Sequence, residues 1–192
     1  MNLFFKNFTN LTPEEILLVW NARNSPIIRN MMYNQEYIPF EKHKEWIFSL
    51  SNNNSCLYFL VYADDKPIGV VDFTHITNDS CEWGFYLTEV YLGSGYGVLL
   101  EYYIIQYAFS ILSIKTLYCA VLDKNKNVYK THVQFFSFAP DVKYSSVKNI
   151  NEKLLHFDGL SLTADTWKQW NNAIVLRALD FFKVESVKWG GR

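Results

Sequence analysis

The sequence predicts an α/β protein with a mixed, mostly antiparallel central sheet flanked by helices, and three observations carry that expectation. Apolar residues alternate through Leu57 to Tyr62, Ile68 to Ile76 and Cys81 to Leu87, the period of half-buried strands. The string Leu92-Gly93-Ser94-Gly95-Tyr96-Gly97 then opens directly into Val98, Leu99, Tyr102, Tyr103, Gln106 and Phe109, spaced in threes and fours as one buried helix face requires. Strong helix-start signals precede the first of these strands. With 192 residues, 49% apolar and 18% aromatic, the chain is long enough for one well-filled core. Residues 1–192 are therefore expected as a single domain, with 141–192 as an atypical C-terminal extension.

Taken in order, Met1 to Phe8 suits a short edge strand. Thr12-Pro13-Glu14-Glu15 supplies a cap, an N1 proline and a capping-box acid, predicting a helix from Pro13 to about Arg23. Ser25-Pro26 repeats the cap-plus-proline signal for a short second helix. Pro39 introduces a third, on which His43, Ile47 and Leu50 share a face. The polar run from Ser51 to Ser55 is a loop, and turns at Asp64-Asp65 and Asn78-Asp79 join the three alternating runs into an antiparallel meander. After the glycine string and its helix come a strand at Thr116 to Leu122 and a helix from about Asn125, with Val128, His132 and Phe135 on related faces. Farther on, Val142 to Val147 suits a strand and Asp158-Gly159 a turn. Thr163 to Phe182 reads as one long helix, with Trp167, Trp170, Ile174, Arg177 and Phe181 at helical spacing.

Composition excludes several function classes. The net charge of −1 is spread without basic blocks, whereas a nucleic-acid binder needs a concentrated cationic face. Cys56, Cys81 and Cys119 are odd in number and set among apolar residues, which points to buried free thiols rather than disulfides or a zinc site, so no metal is expected. No basic-then-apolar leader opens the chain and no stretch approaches a membrane span. A cytoplasmic protein without membrane partners is expected.

The glycine string has the layout of an anion site, because residues without Cβ let the backbone at a helix mouth turn tightly and aim free N–H groups at a diphosphate. A P-loop is excluded, since Tyr96-Gly97-Val98 supplies neither its Lys nor its Ser/Thr. A dinucleotide-binding fold is excluded too, since its glycine motif follows the first strand and not a mid-chain meander. What remains resembles the Gcn5-related N-acetyltransferase (GNAT) family, whose pyrophosphate loop reads Gln/Arg-x-x-Gly-x-Gly/Ala; here Leu92 replaces the first residue and the glycines are kept. The order of elements is also that of the family, in which the strand before the loop and the strand after the helix splay apart. The resemblance implies the GNAT fold, with splayed central strands and here an extra C-terminal helix. It also implies acetyl-CoA as co-substrate, held by Leu87, Glu89, Leu92, Gly93, Ser94, Gly95, Tyr96, Gly97, Val98 and Asn125.

Acetyl transfer from a thioester to an amine needs a base for the ammonium proton and an acid for the departing thiolate. Asp72, Thr74 and Glu82 fall on adjacent meander strands facing the expected splay, where a carboxylate can take the proton; as solvated strand residues they have an ordinary reading as well. The family's Asn-x-x-Ala-x-x-x-Tyr string corresponds here to Asn125-Lys126-Asn127-Val128-Tyr129-Lys130-Thr131-His132, so the resemblance implies His132 as the acid in place of tyrosine. A packed histidine is the alternative. Trp20-Asn21-Ala22-Arg23-Asn24, Met31-Met32-Tyr33 and Ile38 to Trp46 are similar to segments of bacterial nucleotide-sugar N-acetyltransferases. The type in view acetylates the 4-amino group of UDP-4-amino-4,6-dideoxy-N-acetyl-β-L-altrosamine in pseudaminic acid biosynthesis for flagellin modification. That resemblance implies Arg23, Met32, Tyr33, His43, Trp46 and Tyr86 as substrate-binding residues, Arg23 and His43 as donors to a diphosphate and Met32, Tyr33 and Trp46 as flat or apolar contacts. Core packing is the plainer role for Met32 and Trp46, and helix capping for Arg23. The expected partner is thus a UDP-amino sugar, with a homodimer allowed. A protein N-terminal, lysine or polyamine acetyltransferase of the same fold, or a non-catalytic acyl-CoA-binding module, stands as the alternative.

Overall fold

The computed structural model describes residues 1–150 and 152–191. After β1 (Asn2–Asn7) the capping box forms as its residues dictate: the Thr12 hydroxyl accepts from the Glu15 N–H at 3.3 Å and the Glu15 carboxylate accepts from the Thr12 N–H at 2.6 Å, starting α1 (Pro13–Asn24). Next come α2 (Pro26–Arg29) and α3 (Phe40–Ser49), where His43 and Ile47 are buried, with Leu50 beside them. The meander is β2 (Leu57–Ala63), β3 (Lys66–Thr74) and β4 (Ser80–Leu87), antiparallel throughout. Then follow α4 (Tyr96–Ser110), β5 (Thr116–Leu122) and α5 (Lys126–Phe136).

A short β6 (Ala139–Pro140), β7 (Ser146–Ile150), β8 (Lys153–Thr163), α6 (Ala164–Lys168), α7 (Ala173–Phe182) and β9 (Ser186–Trp189) complete the chain. One nine-stranded sheet runs β6-β8-β5-β4-β3-β2-β1-β9, with β7 paired to β8. Two layers cover it. One face packs against α4, α5 and α7 through Trp83, Leu99, Ile104, Leu117, Phe136 and Val175; the other packs against α1 and α3 through Ile16, Val19, Ile47, Leu60 and Val70.

The decisive feature is the parallel junction of β4 with β5 in the middle of the sheet. β4 and β5 pair only over Ser80–Glu82 against Thr116–Tyr118, although β4 continues to Leu87 and β5 to Leu122. Past Glu82 the two strands part, and each keeps its other neighbour, β3 and β8 respectively. The sheet therefore carries a wedge-shaped gap, the splay expected from the sequence.

The C-terminal quarter departs from the sequence expectation. β1 is no edge strand: β9 pairs with it in parallel from Asn2↔Ser186 to Phe5↔Trp189. Asp158 and Gly159 lie inside β8, not in a turn. A Cβ at Gly159 would stand 2.3 Å from the Asp141 carbonyl oxygen and 2.5 Å from the Ser145 nitrogen, so the glycine admits the 141–145 turn against the strand. That turn occupies Val142–Tyr144, and the strand expected from Val142 begins instead at Ser146. The long helix expected from Thr163 breaks in two, because the Asn172 side chain accepts from the Ile174 and Val175 N–H groups and starts α7 afresh.

Candidate active site

At the wide end of the gap the glycine string sits where β4 hands over to α4. Gly93 (φ +74°) and Gly95 (φ +86°) are left-handed, a region costly to residues with a Cβ, and Gly95 directly caps α4. The bend is pinned by Tyr91 N–H to the Thr88 carbonyl (2.9 Å) and Ser94 N–H to the Tyr91 carbonyl (3.2 Å). This leaves the N–H groups of Gly93, Gly95 and Gly97 without a backbone acceptor, in an exposed loop at the positive end of a 15-residue helix whose first turn holds no acid. These residues fit a diphosphate. Leu92 and Ser94 are exposed, Tyr96 and Val98 half-buried, and Leu87 is buried at the end of β4. The Glu89 side chain is engaged by the Ser25 hydroxyl, which explains why Ser25 does not cap α2. Asn125 stands at the start of α5 with no side-chain capping bond.

The carboxylates lie on the α1/α3 face. Register places Tyr58 opposite Asp72, Asp72 opposite Gly84, Thr74 opposite Glu82 and Val70 opposite Tyr86, so these side chains share one face beside the point where the strands part. Gly84 matters here, since a Cβ on it would meet the Asp72 carboxylate at 3.2 Å. Asp72 keeps some accessible surface although it lies deep among its neighbours, as a group at the bottom of a cleft does. Burial first, and then the Glu82 charge, push its carboxyl up to about 7. Glu82 accepts from the Tyr33 hydroxyl at 3.1 Å and pairs with His75 Nδ1 at 3.0 Å. Tyr33 also reaches the Ala120 carbonyl at 3.4 Å, so a residue from the loop after α2 spans the gap between β4 and β5. Burial and the Glu82 charge hold its hydroxyl protonated.

The N-terminal helices wall this cleft, and their residues divide between clamp and lining. Trp20 Nε1 and Asn24 Nδ2 both donate to the Ile38 carbonyl, and Asn24 Oδ1 accepts from the Ile38 N–H at 2.8 Å. Arg23 does not cap its helix; one Nη donates to the Asn34 carbonyl at 2.8 Å. Its other Nη is buried without a partner, as are Arg29 Nε and His43 Nδ1. Burial lowers the Arg23 pKa, Arg29 lowers it further, and Tyr86 opposes them. His43 is held down to about 4 by burial and by Arg23, so it is neutral and offers one donor rather than a charge. Trp46 packs edge-on against Tyr58 (4.8 Å) and beside His43 (5.2 Å), lining the cleft through Tyr58. Met32 is half-buried, its N–H on the Arg29 carbonyl.

His132 lies on the opposite face. It is 4% exposed, its ring edge-on to Trp83 at 5.1 Å and its Nδ1 2.6 Å from a carboxylate oxygen of Glu101, itself 1% exposed on α4. Burial raises the Glu101 carboxyl and His132 opposes the rise. The gap between β4 and β5 thus has a carboxylate pair on one side of the sheet and a histidine–carboxylate pair on the other.

Arg29, Tyr58, His75 and Glu101 were not singled out from the sequence. Glu101 had a signal, a lone acid on the buried face of an otherwise apolar helix. Arg29 repeats the helix-end position of Arg23, whereas Tyr58 and His75 become visible only through strand register. Cys56, Cys81 and Cys119 are buried thiols outside any disulfide. Among the described residues no cluster of three or more His, Cys, Asp or Glu can hold a metal ion, and no helix is long and apolar enough to cross a membrane. Two surface hollows, of about 460 and 520 Å³, flank α6 and α7 around Trp170 and share no residue with the cleft or the glycine loop.

Comparison with known proteins agrees with this fold. A family model described as an acetyltransferase (GNAT) domain matches residues 7–132. The chain is 40% identical over 129 residues to the acetyltransferase PseH of Campylobacter jejuni subsp. jejuni (strain 81-176), covering 67% of this chain and 80% of the relative. The crystal structure of C. jejuni N-acetyltransferase PseH in complex with acetyl coenzyme A superposes with a TM-score of 0.62 at 31% identity, over 84% of this chain and 99% of that one. A spermidine N-acetyltransferase from Vibrio cholerae, solved with CoA and spermine, reaches a TM-score of 0.77 at 19% identity, over 87% and 98% of the two chains. At that identity the higher score speaks for the fold alone.

Proposed function

We propose that this chain, which belongs to the GNAT acetyltransferase family, transfers acetyl from acetyl-CoA to the 4-amino group of a nucleotide-linked 4-amino-4,6-dideoxy sugar, by direct attack in a ternary complex. The observation that carries the reading is the opposed charge of the cleft. Asp72 and Glu82 stand at its floor, the Arg23 guanidinium stands in its wall, and Tyr86 between them feels both Arg23 and Asp72. A sugar nucleotide is bipolar in the same sense, anionic at the diphosphate and basic at the amine. A polyamine is cationic throughout and would meet an unneutralised guanidinium.

In this reading the free N–H groups of Gly93, Gly95 and Gly97 bind the pyrophosphate of acetyl-CoA, with Leu87 and Asn125 along its path, and the thioester enters the gap. The neutral amine attacks the thioester carbon; a C–N bond forms and the C–S bond breaks. Asp72 or Glu82 takes the ammonium proton, and Thr74 beside them offers a hydroxyl to the substrate. His132 protonates the departing thiolate: Nδ1 is engaged by Glu101, and Nε2 is the nitrogen left to donate. Tyr33, Met32 and Trp46 give the sugar and base flat or apolar contact. Three buried cysteines held as thiols suit a cytoplasmic enzyme. We read residues 1–192 as one acetyltransferase domain, because β8 completes the sheet at β5 and β9 completes it at β1.

UDP alone should raise the thermal midpoint in proportion to its occupancy, and Arg23→Ala should abolish that response while acetyl-CoA still binds. CoA release should require the nucleotide-linked amino sugar. Equal turnover of the free amino sugar, a peptide N-terminus or spermidine, with no response to UDP, would leave an acetyltransferase of another substrate class.

A further inference from the structure

Arg23 and Arg29 end two successive helices across the Ser25-Pro26 turn, and the chain brings their charges together without neutralising either. Burial is the main cause of the lowered Arg23 pKa, Tyr86 opposes it and the Arg29 charge adds to it, and no carboxylate is among the groups acting on Arg23. Among the described residues neither guanidinium forms an ion pair. Arg29 Nε and Arg23 Nη1 are buried without a hydrogen-bond acceptor. Folding alone does not favour this arrangement, since buried donors left unpaired and like charges held together both cost stability. Such groups in a folded protein call for an explanation, and an unbound anion supplies one.

Resting on the nucleotide-sugar reading above, we propose that Arg29 joins Arg23 in a two-guanidinium clamp on the diphosphate of the acetyl acceptor, and so helps determine acceptor specificity. A planar guanidinium matches phosphate oxygens two at a time, and two of them neutralise a diphosphate where they would over-neutralise a single carboxylate. Neutral His43 adds a donor without adding charge. Asp72 and Glu82 repel the anion from their end of the cleft and fix which way the substrate lies. The clamp stands on α1 and α2 and the glycine loop on the β4–α4 junction; we assign the clamp to the acceptor, and acetyl-CoA affinity is the measurement that separates the two diphosphates.

The test uses the full chain, with Arg29→Ala and Arg29→Gln, and calorimetry with UDP, uridine, inorganic pyrophosphate and acetyl-CoA. Both variants should bind UDP about tenfold to a hundredfold more weakly, the loss of a charge-assisted contact, and raise KM for the sugar nucleotide by a similar factor. Uridine and acetyl-CoA should bind as in the parent. The thermal midpoint without ligand should stay level or rise, because a repulsion has been removed; a merely structural arginine would lower it. Parent-like UDP affinity in both variants, or a loss of acetyl-CoA affinity instead, overturns the clamp. A parent that ignores UDP but binds pyrophosphate through Arg29 keeps the clamp and removes the nucleotide. One that binds neither removes the clamp outright.

Discussion

Residue by residue, the cleft was legible wherever chemistry was written in a short string, and hidden wherever strand register assembled it. Asp72 and Glu82 could be named from the meander, but their partnership with Tyr33, Tyr58 and His75 depends on pairings such as Tyr58↔Asp72 that no local pattern specifies. Asp72 yields a pH-dependent expectation. Its ordinary value of 3.8 rises to about 7 in the folded protein, so the native state favours the protonated form. The associated stability is fully present below about pH 4 and is lost as the pH climbs through 7. Asp72→Asn should therefore melt higher than the parent at pH 8, with the difference vanishing toward pH 4. If Asp72 rather than Glu82 is the base, it also gives the rising limb of kcat/KM near pH 7. Thermal denaturation across pH, run beside a rate profile, separates the outcomes: a limb that survives in Asp72→Asn assigns the proton to Glu82, and a pH-independent melting difference refutes the burial argument.

Among the elements, α1, the meander, α4 and β5 followed their caps and periods closely, because each is stabilised by local signals that agree with its burial. The C-terminal elements did not. Val187 and Trp189 of β9 carry too short an alternation to read, and α7 begins where Asn172 caps it and not where the aromatic spacing began. The glycine loop gives the element-scale prediction, because its glycines act through different physics. Gly95→Ala places a Cβ on a left-handed residue and should destabilise the fold by about 1 kcal/mol. A Cβ on Gly97 meets only Phe85, at 3.8 Å, so Gly97→Ala should leave the melting temperature unchanged. If the diphosphate lies on these amides, both variants lose acetyl-CoA affinity. Calorimetric titration showing full affinity in Gly97→Ala would mean that no ligand approaches that backbone.

For the molecule as a whole, the family match ends at residue 132, yet the last 50 or so residues are built into the same sheet and core. β8 lines the full length of β5, and Leu160, Leu162 and Val175 sit in the core around α4. At the far edge Trp189 stacks on Phe5 at 3.6 Å and on Tyr107 of α4 at 4.0 Å, and meets Phe59 edge-on at 5.0 Å, so the final strand fastens β1, β2 and α4 at once. Cutting the chain after residue 140 would bare one edge of β5, which borders the active gap, and remove part of the apolar layer that supports α4. Such a truncation should fail to give a cooperative transition. Trp189→Ala should keep the transition but lower stability by about 3 kcal/mol, the scale for a large aromatic truncated at a packed site. If acetyl-CoA binds on the glycine loop, at the head of the helix that Trp189 braces, it should restore part of that loss. Thermal unfolding followed in both the near and far ultraviolet tests the argument: a stable, cooperative 1–140 fragment would show that the C-terminal segment is an addition to the acetyltransferase domain and no part of its core.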